Sequence, residues 1–195
     1  MDYAVKRQES GQEGAGVYEL LDASGNVLLV AEQTGGTLPD ERRQLKLAGP
    51  DGRVVATIDL PQPAAEAEST AREIDYALIH NFAVYAILSQ RRRPGDNHTP
   101  NGAYFILEVE GERWLALPDP DADGCYALFD EVPAGLHTYE AVHDLDLPSA
   151  IGHICHSSNG YEHDWRANIA PNRLQETGLL VLALAFLIDR TLRSS

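Results

Sequence analysis

Between residues 16 and 170 the chain repeats one pattern: a short apolar or alternating run, a turn signal, then another such run. Val54, Ala56 and Ile58 alternate with Val55, Thr57 and Asp59, the period-two signature of a half-buried strand. Gly49-Pro50-Asp51-Gly52 precedes that run, Asp22-Ala23-Ser24-Gly25-Asn26 separates Val17–Leu21 from Val27–Ala31, and Glu110-Gly111-Glu112 separates Ala103–Glu108 from Arg113–Leu117. Gly, Asn and Asp tolerate the positive φ of tight turns, so these segments predict hairpins. The pattern predicts about twelve strands, near 17–21, 26–32, 44–48, 53–59, 74–80, 83–91, 103–109, 112–118, 125–130, 137–143, 149–156 and 160–169.

One segment breaks the theme. Gly178–Ile188 reads GLLVLALAFLI and is apolar all the way round. A helix without a polar face must be enclosed by protein or by lipid. Eleven residues make a rod of about 16 Å, roughly half the thickness of a bilayer core, so the length selects protein. A sandwich fills its own interior and leaves no room for such a helix. A closed barrel of about twelve strands is wider than the eight-stranded kind whose side chains already meet, and needs a filling. The expected fold is therefore mainly β: a closed antiparallel barrel of about 12 strands enclosing a hydrophobic C-terminal α-helix at about residues 173–193. Residues 1–15 carry no such run and are expected to form a flexible N-terminal segment, leaving 16–195 as a single barrel domain.

Composition narrows the function. Fifteen basic against 30 acidic side chains give a formal net charge of −15, which repels phosphate backbones and anionic bilayers, so no nucleic-acid partner is expected. No transmembrane segment is expected either. No apolar stretch follows the charges of Met1–Arg7, so no signal peptide is read and a cytoplasmic location is expected. Cys125 and Cys155 are too few for a disulfide framework.

The closing segment Gly178–Asp189, leucine- and alanine-rich and ending in an Ile-Asp pair, resembles the last helix of the tubby C-terminal, phospholipid scramblase and LURP-one-related superfamily. Ala150–Ile154, Gly160-Tyr161 and Trp165–Ile169 are similar to that group's last two strands, and Tyr18–Gly25 and Gly49–Arg53 to its hairpins. The resemblance spans about residues 16–193. It implies a twelve-stranded barrel around a hydrophobic helix, in a group whose members are associated with phosphoinositide binding, lipid movement or no known activity. Two features depart from the group: tubby-like binding relies on clustered basic residues, whereas this chain is acidic, and no proline- and cysteine-rich segments precede the barrel.

Candidate chemistry is sparse. Asp119-Pro120-Asp121-Ala122-Asp123-Gly124 places carboxylates at alternate positions before a glycine, as a calcium loop does, with Asp130 at the twelfth position. Asp119, Asp121, Asp123 and Asp130 are the candidate calcium ligands, set against an ordinary acidic hairpin turn; no other cofactor is expected. His153, Cys155 and His156, with His163 and Asp164, suggest zinc, but strand alternation puts His156 on the face opposite His153 and Cys155, against the four convergent ligands zinc needs. Arg91, Arg92 and Arg93 form the only dense basic patch besides Arg42-Arg43, a candidate site for a phosphate or lipid head group or else a solvated edge paired with carboxylates. Asp189, just after the helix, reads as a partner for a nearby arginine or backbone group. No nucleophile elbow, P-loop or dinucleotide fingerprint is present. The expected function is a non-enzymatic barrel that binds a small molecule, lipid or protein; the alternatives are a calcium-binding version using the 119–130 loop and an enzyme with an unrecognised rim pocket.

Overall fold

The computed structural model describes residues 1–9, 16–35, 42–61, 73–92, 103–122, 124–130, 149–158, 163–170 and 176–193. Twelve strands run in sequence order around a closed barrel: β1 (Asp2–Glu9), β2 (Gly16–Leu21), β3 (Val27–Thr34), β4 (Arg43–Ala48), β5 (Val54–Leu60), β6 (Glu73–His80), β7 (Ala83–Arg92), β8 (Ala103–Val109), β9 (Glu112–Pro118), β10 (Cys125–Phe129), β11 (Gly152–Ser158) and β12 (His163–Ile169). Each pairs antiparallel with its neighbours in sequence, and β1 closes the circle against β12.

The closing strand corrects the expectation for the N-terminus. Asp2–Glu9 is not a flexible segment: Val5 pairs with Trp165 of β12 on one side and Leu20 of β2 on the other. Its signal is weak because only Val5 brings a buried aliphatic side chain to the core, while the next inward position is Arg7. Closure itself depends on residues some 160 positions apart in the chain, which no local pattern encodes. The strand expected at 137–143 lies outside the described residues.

Inside, the alternation read from the sequence holds. Leu45 and Leu47 are buried on either side of exposed Lys46, and Ala56, Ile58 and Leu60 face inward while Asp59 faces out. Helix α1 (Thr177–Arg193) is buried all round from Leu179 to Asp189 and packs chiefly against β1, β2 and β3. Phe186 meets the ring of Tyr18 edge-on at 5.3 Å, and at Gly178 a Cβ would already stand 3.1 Å from Leu20 Cδ2, so the start of the helix lies hard against the wall. Edge-on aromatic contact and close packing of aliphatic groups are what stabilise such a plug.

The two ends of the barrel differ. At one, residues 22–26, 49–53, 81–82 and 110–111 make short turns, and β10 ends and β11 begins there too. The predicted turn at Gly49–Gly52 forms, with Gly52 at φ 77° and its N–H donating to the Gly49 carbonyl at 2.9 Å. At the other end, which we call the mouth, residues 10–15, 35–42, 61–72, 93–102, 119–124 and 159–162 join the strands. The C-terminal end of α1 reaches the mouth, where Asp189 meets Tyr18 near the start of β2.

Candidate functional site: the polar tier at the barrel mouth

Below the mouth the inner wall is aliphatic. Val5, Leu20, Ala31, Leu47, Ile58, Leu78, Leu107, Leu128, Ile154 and Ala167 meet the helix in one apolar cluster, with Trp114 the large aromatic among them. Next to the mouth the same inward-facing register changes character. On β1 and β2 the positions after Val5 and before Leu20 are Arg7 and Tyr18; on β4 the position before Leu45 is Arg43. On β6 and β7 Tyr76 donates a hydrogen bond to Gln90 Oε1 at 3.2 Å, both buried. Tyr126 on β10 and Trp165 on β12 face inward in the mouth-side half of their strands, and the Trp165 ring lies 4.9 Å from that of His156 on β11.

The helix end completes this tier. Asp189, 2 % exposed, accepts a hydrogen bond from the Tyr18 hydroxyl at 2.5 Å and forms an ion pair with Arg193 Nη2 at 2.5 Å, and Arg7 Nε stands 3.9 Å from the same carboxylate oxygen. Arg193 also donates to the Tyr18 oxygen and to the Asp189 carbonyl. Arginines in the last turn offset the negative end of the helix dipole. The role expected of Asp189, partner to an arginine at the mouth, is the one it has. Gly16 is accommodated to this network: a Cβ there would stand 2.7 Å from Arg7 Nε.

Burial sets the electrostatics. It pushes the Tyr18 phenol well above its ordinary range, with the Asp189 charge adding to the effect. Burial, followed by the charges of Arg43 and Arg193, lowers Arg190 to about 10, and burial lowers Arg43 as well. Among the described residues, two buried donors on the inner wall, Tyr126 Oη on β10 and Trp165 Nε1 on β12 beside β1, have no hydrogen-bond partner, and neither do Trp114 Nε1 deeper down and Tyr85 Oη on β7. Tyr126 is 3 % and Trp165 0 % exposed.

The residues singled out from sequence fall elsewhere. Arg91 lies on the outer wall near the mouth and donates to Asp75 at 2.9 Å, with Ser89 donating to the same oxygen at 2.7 Å. Arg92 ends β7, and Arg93 lies outside the described residues. The calcium loop does not form as a twelve-position loop, because Cys125–Phe129 is strand β10, which carries Asp130 to the opposite end of the barrel from Asp119 and Asp121. Asp123 lies outside the described residues. Asp119 Oδ1 instead accepts the Asp121 N–H at 3.0 Å, a local turn, and Asp119 Oδ2 stands 3.6 Å from His153 Nε2. Among the described residues no three His, Cys, Asp or Glu side chains converge on a metal position.

His153 and Cys155 share the outer face and His156 the inner, as alternation requires. Cys155 is bonded to Cys125 on the facing strand, because the register of β10 and β11 sets the two directly opposite with Cα atoms 4.0 Å apart. Among the described residues, no helix is long and apolar enough to cross a membrane, a statement about helices and not about barrels.

Sequence reasoning missed Arg7, Tyr18, Arg43, Tyr126 and Trp165. The available signal was a polar residue on the apolar face of a strand: Arg43 two before Leu45, Tyr126 two before Leu128. No family model matches the chain, and no curated protein or solved structure matches it.

Proposed function

We propose that the barrel is a non-enzymatic binding protein whose ligand docks at the mouth, against the polar inner tier. The observation that carries this reading is the pair of buried, unpartnered donors Tyr126 Oη and Trp165 Nε1 on a wall that is aliphatic further down. Leaving a buried donor unmade costs about 1–3 kcal/mol, and phenylalanine at position 126 would avoid it. A partner that supplies acceptors turns that cost into affinity and specificity. The resemblance to the tubby, scramblase and LURP-one-related group supports a binding role over a catalytic one and puts lipids among the candidates, with small molecules and proteins beside them; fold likeness alone does not transmit function. Cytoplasmic residence belongs to the same proposal, and thiol labelling of Cys125 and Cys155 in intact cells tests it, since disulfides persist mainly in oxidising compartments.

Native mass spectrometry of the purified chain identifies a ligand carried through purification, and hydrogen exchange with and without it locates the site. Protection is expected at the end of β1 and the starts of β10 and β12. Protection confined to the turns at 22–26 and 49–53 would refute a mouth site.

A further inference from the structure

The cystine on the outer wall stands in a row of side chains whose charge changes sign along it. Cys125 and Cys155, the only two cysteines of the chain, are register partners on β10 and β11, and both are partly exposed. Arg166, exposed on β12, is the register partner of Cys155 on its other side. Side chains directly opposite each other on one face of an antiparallel pair have Cβ atoms about 4.5–5.5 Å apart, so the Arg166 arm starts beside the Cys155 sulfur. The neighbour of Cys125 is acidic instead: the Asp119 N–H donates to the Cys125 carbonyl at 2.9 Å, and Asp121 lies in the same turn. Two further groups complete the charges of this face. His153, two residues before Cys155, has its Nε2 at 3.6 Å from Asp119 Oδ2, and Asp164, two before Arg166, is opposite Lys6 of β1.

We infer that Cys125–Cys155 is a site of reversible thiol–disulfide exchange, with a dithiol as its reductant and Cys155 as its leaving group. A thiolate of the reductant attacks Cys125 Sγ. The S–S bond breaks, its electron pair leaves on Cys155 as a thiolate, and a mixed disulfide forms at Cys125. The second thiolate of the reductant then attacks the reductant sulfur of that mixed disulfide, closing the reductant's own disulfide and releasing Cys125, which takes up a proton. The cystine gains two electrons and the dithiol loses two. A cation beside one sulfur and carboxylates beside the other separate the two thiols in this direction, because the thiol of lower pKa leaves faster. The sheet makes the exchange reversible: with the bond open, the pairs Tyr126–Ile154, Ala127–His153 and Leu128–Gly152 keep the two sulfurs opposite, and no third cysteine competes for either. Position on the outer wall gives the reductant access, whereas cysteines enclosed in apolar surroundings are inert.

The test uses the full oxidised chain. Dithiothreitol without denaturant should give two alkylatable thiols while the emission of buried Trp114 and Trp165 stays that of the folded chain, and oxidised glutathione should restore the cystine within one chain. Quenching with iodoacetamide during reaction with reduced glutathione traps the mixed disulfide, and peptide mass spectrometry should find it on Cys125 about fivefold or more over Cys155. Pulsed iodoacetamide labelling of the reduced chain across pH should titrate Cys155 about one unit below the ordinary thiol value near 8.5. Arg166→Gln should remove that depression and slow reduction by glutathione about threefold or more, while Arg113→Gln at the far end of β9 leaves both unchanged. Reduction only in denaturant, or reduction that costs the folded emission, would make the bond purely structural and overturn the inference. A mixed disulfide found chiefly on Cys155, or a Cys155 thiol that titrates no lower than Cys125, would overturn it as well.

Discussion

At the short-turn end of the barrel β6 passes into β7 through Asn81 and Phe82, at φ 50° and 63°, and the chain reverses in two residues. At the mouth the strands are joined mostly by longer segments, and on β1, β2, β4, β10 and β12 the inner wall turns to arginine, tyrosine and tryptophan, while Leu60 and Ala103 keep β5 and β8 apolar there. Between these ends lies an aliphatic cylinder filled by a helix with no polar face. The middle and the turns follow what stability asks for: apolar groups packed on apolar groups, hydrogen-bonded hairpins, no buried charge. The mouth departs from it, with a buried carboxylate and desolvated arginines, while buried donors without acceptors occur both there and below, at Trp114. Departures of this kind concentrate where a protein binds something, since local inconsistency persists only if something outside folding maintains it.

The difference is breakable at several depths. Deep in the plug, Leu184→Asp places an unpaired carboxylate among aliphatic side chains; a cost of several kcal/mol rivals a whole domain's margin of about 5–15. The expected product is insoluble or unfolded protein. A soluble variant with the parental near-ultraviolet circular dichroism would mean that the helix does not fill the barrel.

At the mouth, Asp189→Asn keeps the shape and removes the charge. Burial of Asp189 and Tyr18 argues for a loss of about 2–4 kcal/mol, reduced from a fully buried pair because the Arg193 side chain is 34 % exposed. Denaturant titration measures it, and a loss below about 0.5 kcal/mol would reduce the network to a surface ion pair.

The short-turn end predicts a gain. Phe82 occupies the second central position of a two-residue hairpin turn, where glycine is favoured, and it is fully exposed at 105 %. Phe82→Gly should raise stability by about 0.5–1 kcal/mol through relief of the left-handed conformation. A loss instead would show that the ring packs on something at that end.

The smallest effect belongs to Tyr126→Phe, which deletes a buried hydroxyl without a partner and should leave stability at neutral pH unchanged or up to about 1 kcal/mol higher. Alkali reads the same groups in the opposite sense. Burial raises the pKa of both Tyr18 and Tyr126, so the unfolded chain releases those protons first; their stability contribution is complete below the ordinary tyrosine value near 10 and is lost as pH rises towards their folded values. In a spectrophotometric titration, the phenolate absorbance of these two should appear only with unfolding, and Tyr126→Phe should shift the alkaline transition upward.

Much of the architecture was written locally. Leu179–Ile188 has no polar side on which to meet water, and that alone demanded a container; the hairpins followed from Gly25, Gly52 and Gly111 between alternating runs. The limits of that reading are equally specific. β1 was obscured because the inward residue after Val5 is Arg7, which looks like a surface charge until Asp189 and Tyr18 are folded against it. Asp119 and Asp130 looked like two ends of one loop until β10 formed between them.

Sequence by itself determined the class of fold and the plug, because hydrophobic periodicity acts over a few residues and burial is its direct consequence. Tertiary structure alone decided the rest. Cys125 faces Cys155 only through the register of β10 on β11, and Tyr18 reaches Asp189 across 171 positions of chain. A polar residue on an inward face carries no mark of its partner, so whether it is a defect, a latch or part of a binding surface is settled only when barrel closure brings the distant strands together.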